Sequence, residues 1–195
     1  MAAPAAATNG IKDAAAVLGG PLQACKWSYK GRLSTFTTRF KGSCGPNLVN
    51  ATMTYPRGAC EQLDGKVAGK KVRLCYTVGA KGGANAKFTG FVGAKKITAG
   101  RFTHNTGHQE CNLSGDGPRP CTSELTFRFR GASYRCAVTE QYRYLTQADP
   151  EAYQEFTGGR FTKNGKALSK KSKVYSLCAA AFVTRTGNWN DYTIR

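Results

Sequence analysis

Along much of this chain, apolar and polar residues alternate. In 33–41 (LSTFTTRFK), Phe36, Thr38 and Phe40 share one side, and Thr37, Arg39 and Lys41 the other. Residues 71–78 set Val72, Leu74, Tyr76 and Val78 against Lys71, Arg73, Cys75 and Thr77, and 125–130 (LTFRFR) alternate just as strictly. A period of two predicts strands with one packed face and one face open to solvent or a ligand. Residues 134–139 and 174–183 are two further expected strands, and 88–92 a short one. Helix signals are few. Residues 11–18 suit a short helix ended by Gly19-Gly20-Pro21, behind a disordered lead over 1–10. Asp149-Pro150-Glu151 supplies an N-cap, a proline at the first helical position and an acid in the first turn. That predicts a helix near 149–157, stopping at Gly158-Gly159.

An internal similarity organises these elements. STFTTRFKG (34–42) aligns with SELTFRFRG (123–131), matching Ser34 to Ser123, Thr37 to Thr126, Arg39 to Arg128, Phe40 to Phe129 and Gly42 to Gly131. The two faces stay in phase, so a packed position meets a packed position. KKVRLC (70–75) also resembles SKVYSLC (172–178) with one extra residue, and the cysteines divide four and four. The fold expected is therefore a β-rich α+β protein: two related antiparallel β units from an internal duplication, with one short helix. Its parts are an Ala-rich N-terminal segment (1–21), a first unit (22–80), a Gly/Lys-rich connection (81–109) and a second unit (110–195).

Charge narrows the function more than the pattern does. The 195 residues carry 29 Lys and Arg against 11 Asp and Glu, a formal net charge of +18. Self-repulsion on this scale suits attraction to a polyanion or an acidic protein, and equally a generally basic, soluble surface. The candidate contacts are Arg39, Lys41, Lys70, Lys71, Arg73, Arg128 and Arg130 on strand faces, with Lys170, Lys171 and Lys173 in the basic run 166–173. On the duplication reading, Arg39/Lys41 and Arg128/Arg130 form two related basic strands able to grip an extended or symmetric polyanion.

The eight cysteines are Cys25, Cys44, Cys60, Cys75, Cys111, Cys121, Cys136 and Cys178. None forms the close C-x-x-C pair that presents two thiolates to one zinc ion, and the even count of spaced cysteines suits disulfides and an oxidising compartment. Connectivity stays open. No stretch is long and apolar enough to span a bilayer. Residues 1–20 lack the basic and apolar regions of a signal peptide. Two Asn-x-Thr/Ser sequons occur, at Asn50 and Asn112.

Catalytic signals are thin. The two histidines, His104 and His108, lie near Glu110 and Cys111 in one expected loop, 104–122, stapled by Cys111 and Cys121. As base, acid and orienter, His104, His108 and Glu110 would make a small basic nuclease. Two histidines so close in one loop rarely flank a substrate from opposite sides. A zinc site from the same residues would compete with the disulfides. Nucleophile elbows and phosphate-binding loops are missing from the sequence, and no pair of carboxylates stands out.

The expected function is non-enzymatic: a secreted or lumenal protein, with no cofactor, docking through basic strand faces on an acidic partner, whether protein, glycan or nucleic acid. One alternative is a basic linker subunit buried among acidic proteins in a plastid or other organelle lumen, with covalent chromophores on cysteines, as in algal light-harvesting antennae. The other is the nuclease.

Overall fold

In a computed structural model of the chain, residues 19–32, 37–54, 60–78, 85–103, 121–144 and 152–190 are described. A single 3-10 turn (Gly20–Leu22) leads into β1 (Cys25–Arg32), β2 (Thr37–Cys44), β3 (Asn47–Thr54), β4 (Glu61–Val67), β5 (Lys70–Val78) and β6 (Asn85–Val92). Then come β7 (Lys95–Thr103), β8 (Cys121–Phe129), β9 (Ala132–Tyr144), β10 (Ala152–Lys163), the two-residue β11 (Lys166–Ala167) and helix α1 (Lys173–Asn190). Among the described residues these strands form one sheet, each paired antiparallel with its neighbour in sequence. Among the described residues the fold is thus an antiparallel meander with one α-helix, within the β-rich class expected.

The sheet curls around the helix. Every residue from Tyr175 to Phe182 is buried, on all sides of α1. Cys178 is disulfide-bonded to Cys136 on β9, and Phe182 packs against Phe102 on β7 and Phe161 on β10. Ser176 Oγ donates to the Cys44 carbonyl at the end of β2 (3.2 Å), and the Tyr175 hydroxyl donates to the Pro21 carbonyl. Elements from the start, middle and end of the sheet all touch one helix, which requires a strongly curled sheet. The 3-10 turn seals against β10: a Cβ at Gly19 would lie 1.9 Å from the Phe156 carbonyl oxygen, so only glycine permits this approach. Inward-facing side chains build the core, among them Phe40, Met53, Leu63, Leu74, Phe88, Ile97, Leu125 and Phe156. The alternate positions face outward.

Several expectations change. Residues 174–183 lie in α1 instead of a strand. Ser172 caps it, its Oγ accepting from Val174 N at 3.2 Å, and Ala179-Ala180-Ala181 favours helix. The run has no polar side because the helix is enclosed all round, so its period is hidden. The helix expected near 149–157 is also corrected: Ala152–Lys163 is strand β10, paired along its length with β9. That long ladder satisfies the backbone and overrides a local cap signal. Residues 149–151 lie outside the described residues, as do 1–18 and 104–120.

The duplication is not visible in the fold. KKVRLC opens strand β5, whereas SKVYSLC opens helix α1. Gly42 sits in mid-strand paired with Trp27, while Gly131 is a turn residue at φ +74°. Within the 81–109 stretch, β6 and β7 form a hairpin that belongs to the sheet.

Among the described residues, three disulfides join Cys25 to Cys44, Cys60 to Cys75 and Cys136 to Cys178. Replacing Cys136 and Cys178 together by Ser should lower unfolding free energy in urea by about 4 kcal/mol, on the chain-entropy account of the open loop. Burial raises the Tyr175 pKa above its usual 10.0. The unfolded chain therefore loses this proton first as pH rises. Stability from this group is complete below about pH 10 and declines above it. Tyr175→Phe should flatten that alkaline decline in a pH series of urea melts, while costing about 1 kcal/mol at neutral pH through the lost hydrogen bond.

Candidate polyanion-binding rim

Strand direction alternates along the meander, so the connections β2–β3, β4–β5, β6–β7, β8–β9 and β10–β11 all fall at one end of the sheet. Each is a two-residue turn: Gly45-Pro46, Ala68-Gly69, Gly93-Ala94, Arg130-Gly131 and Asn164-Gly165. Positive φ at one or both central residues marks them as the primed turns that match strand twist. The segment leading into α1 reaches the same end: the Asn47 side-chain amide donates to the carbonyls of Lys171 (3.2 Å) and Ser172 (3.4 Å). The positive end of the helix dipole therefore also lies here.

The turn end is a basic rim. The β4–β5 hairpin brings Lys66, Lys70 and Lys71, the β6–β7 hairpin Lys95 and Lys96, and the β8–β9 hairpin Arg128 and Arg130. The β10–β11 hairpin brings Lys163 and Lys166, and the lead into the helix Lys170, Lys171 and Lys173. All are exposed. The described carboxylates keep away from it. Glu61, Glu124 and Glu140 stand well back along their strands. Asp64, nearest to a turn, accepts from Arg73 Nε at 2.9 Å and from the Gln62 side-chain amide.

Register shows how cations accumulate. Lys41 on β2 lies across from Asn50, Asn50 from Lys66, and Lys66 from Lys71. Directly opposed like charges are destabilising, so the Lys66–Lys71 pair favours an anion bound between its heads. The neighbouring row runs Arg39, Thr52, Asp64, Arg73, Phe91, Lys96. On β8 and β9 the Arg135 guanidinium bonds Glu124 (2.7 Å from Nε, 2.6 Å from a terminal nitrogen), and this hydrogen bond raises the Arg135 pKa.

Of the residues singled out from sequence, Lys70, Lys71, Arg128, Arg130, Lys170, Lys171 and Lys173 meet at the rim, and Arg39, Lys41 and Arg73 lie on the outer face leading to it. β3 to β7 lie between the strand of Arg39/Lys41 and that of Arg128, and Arg130 is in the turn after it. Sequence reasoning missed Lys66, Lys95, Lys96 and Lys163, and named Lys166 only as the start of the basic run 166–173. Their signal was available in Val67-Ala68-Gly69-Lys70-Lys71, Val92-Gly93-Ala94-Lys95-Lys96 and Lys163-Asn164-Gly165-Lys166, each a short turn flanked by lysines.

Cys25, Cys44, Cys60, Cys75, Cys136 and Cys178 form the three described disulfides. His104, His108, Glu110 and Cys111 lie outside the described residues, and so does any site built from them. Among the described residues no group of three His, Cys, Asp or Glu could hold a metal ion, and no helix is long and apolar enough to cross a membrane. The buried Glu140 accepts from Ser123 Oγ inside the sheet. No protein-family model, curated protein or solved structure matches the chain.

Arg130 occupies a left-handed conformation at φ +51°, where asparagine is less strained. Arg130→Asn should raise unfolding free energy by up to about 1 kcal/mol in urea melts. The same substitution should weaken retention on a polyanion column, because it removes a rim charge.

Proposed function

We propose that this protein acts by binding, docking the rim at its turn end and the adjoining outer face onto an acidic macromolecule. The observation that carries the reading is the segregation of charge: four of the hairpins and the start of α1 deliver cations to one end, while the described carboxylates stand back. A merely soluble basic surface has no need of such sorting. Catalysis has no part in this reading, since the rim offers fixed charge and hydrogen-bond donors but no acid–base pair. Disulfide bonding suits a secreted or lumenal setting, where such bonds persist.

Release of condensed counterions gives the test. Binding to a polyanion should weaken steeply with salt, as a linear fall of log affinity against log salt. Changing Lys70, Lys71, Lys95 and Lys96 together to Glu should lower affinity at least tenfold. It should also flatten that slope by roughly 0.7 for each single-strand phosphate the protein no longer neutralises. A salt-independent affinity, or an unchanged one in this variant, would reject the proposal.

A further inference from the structure

Phe91 is a large apolar side chain left open to water, 47% exposed, on the outer face of β6. It sits amid charge: Arg73 lies across from it on β5 and Lys96 on β7. With strands about 4.8 Å apart, the ring is flanked on both sides by cations within one strand spacing. Arg73 is held for this position. Asp64 accepts from its Nε, and Gln62 donates to the other oxygen of the same carboxylate. An exposed ion pair of this kind adds little stability. Its effect is to orient the guanidinium, whose terminal nitrogens remain as donors for an incoming acceptor.

A docking surface for a sulfated glycan or an acidic peptide needs only the cations. An exposed aromatic ring at the centre of a basic sheet face adds a second kind of contact, a flat apolar surface. Single-stranded nucleic acid presents both complements, phosphates at intervals and bases with free π-faces. A duplex hides its base faces in the stack, and a curled outer face does not enter its grooves as a helix does. We infer that the acidic partner is a single-stranded nucleic acid. An unpaired base stacks on Phe91, and its flanking phosphates are held by Arg73, Lys96 and the Lys66–Lys71 pair. This rests on the docking reading above and adds to it the class of partner.

The test measures fluorescence anisotropy of the whole protein with a labelled oligouridylate of on the order of twelve nucleotides, within the span of a single-strand groove. Heparin and a duplex of equal length serve as competitors. Phe91 is exposed, so Phe91→Ala leaves the core untouched, and far-UV circular dichroism checks the fold. The expected result is a loss of about tenfold or more in oligouridylate affinity for Phe91→Ala. Phe91→Trp should preserve binding, and neither the salt slope nor heparin affinity should change. Unchanged oligouridylate affinity in Phe91→Ala overturns the stacking site while leaving the docking reading intact. Binding of heparin without oligouridylate overturns the choice of nucleic acid and again leaves that reading intact. Failure to bind either polyanion overturns both.

Discussion

From Tyr175 to Phe182, α1 has no side open to water, so the rest of the molecule has to enclose it. A flat sheet covers one face of a helix. Enclosure requires many strands and strong curl, and the meander provides both: β2, β3 and β4 cover α1 on one side, while β7, β9 and β10 reach it through Phe102, Cys136 and Phe161. The Cys136–Cys178 bond ties helix to sheet covalently where the two are packed. Small residues at Ala179, Ala180 and Ala181 let the backbone of α1 lie close to the surrounding strands. The helix thus acts as the hub that sets the curvature of everything outside it.

That curvature governs the charge. With the inner face committed to the core, alternate residues of β2, β4, β5 and β7 are turned to water. The outer positions of β2, β4, β5 and β7 are accordingly Arg39, Lys41, Lys66, Lys71, Arg73 and Lys96. Up-and-down pairing then collects the tight turns at one end. Charge segregation follows from topology plus a modest bias of lysine toward turns. It needs no contiguous basic segment.

Much of this was legible in the sequence where the information is local. Alternation in 71–78 and 125–130 assigned Val72, Leu74, Tyr76, Leu125 and Phe127 to the core and Lys71, Arg73 and Arg128 to the surface, as found. Legibility failed where tertiary contacts decide. An enclosed helix such as VYSLCAAAFV shows no polar stripe, so it reads like a buried strand. Asp149-Pro150-Glu151 is a sound cap motif, yet the partner strand β9 claims the backbone from Ala152 onward. The second pair of similar segments, KKVRLC and SKVYSLC, folds as strand and helix, because enclosure by the sheet decides the second. The rim was only half visible, because Lys70 and Lys166 become neighbours in function only once the order of strands is known.

The two-residue turns carry a further implication. Four of the five tips are also tied to a neighbouring element by a backbone N–H, Gly45 to the Ala24 carbonyl, Ala68 to Leu48, Gly93 to Lys71 and Asn164 to Ser133. The turn end is thus held by main-chain groups, and the exposed lysines and arginines beside the turns can change without disturbing it. Such a layout lends itself to divergence: exchangeable charged side chains on a common frame, from which new specificities can be assembled without redesigning a fold.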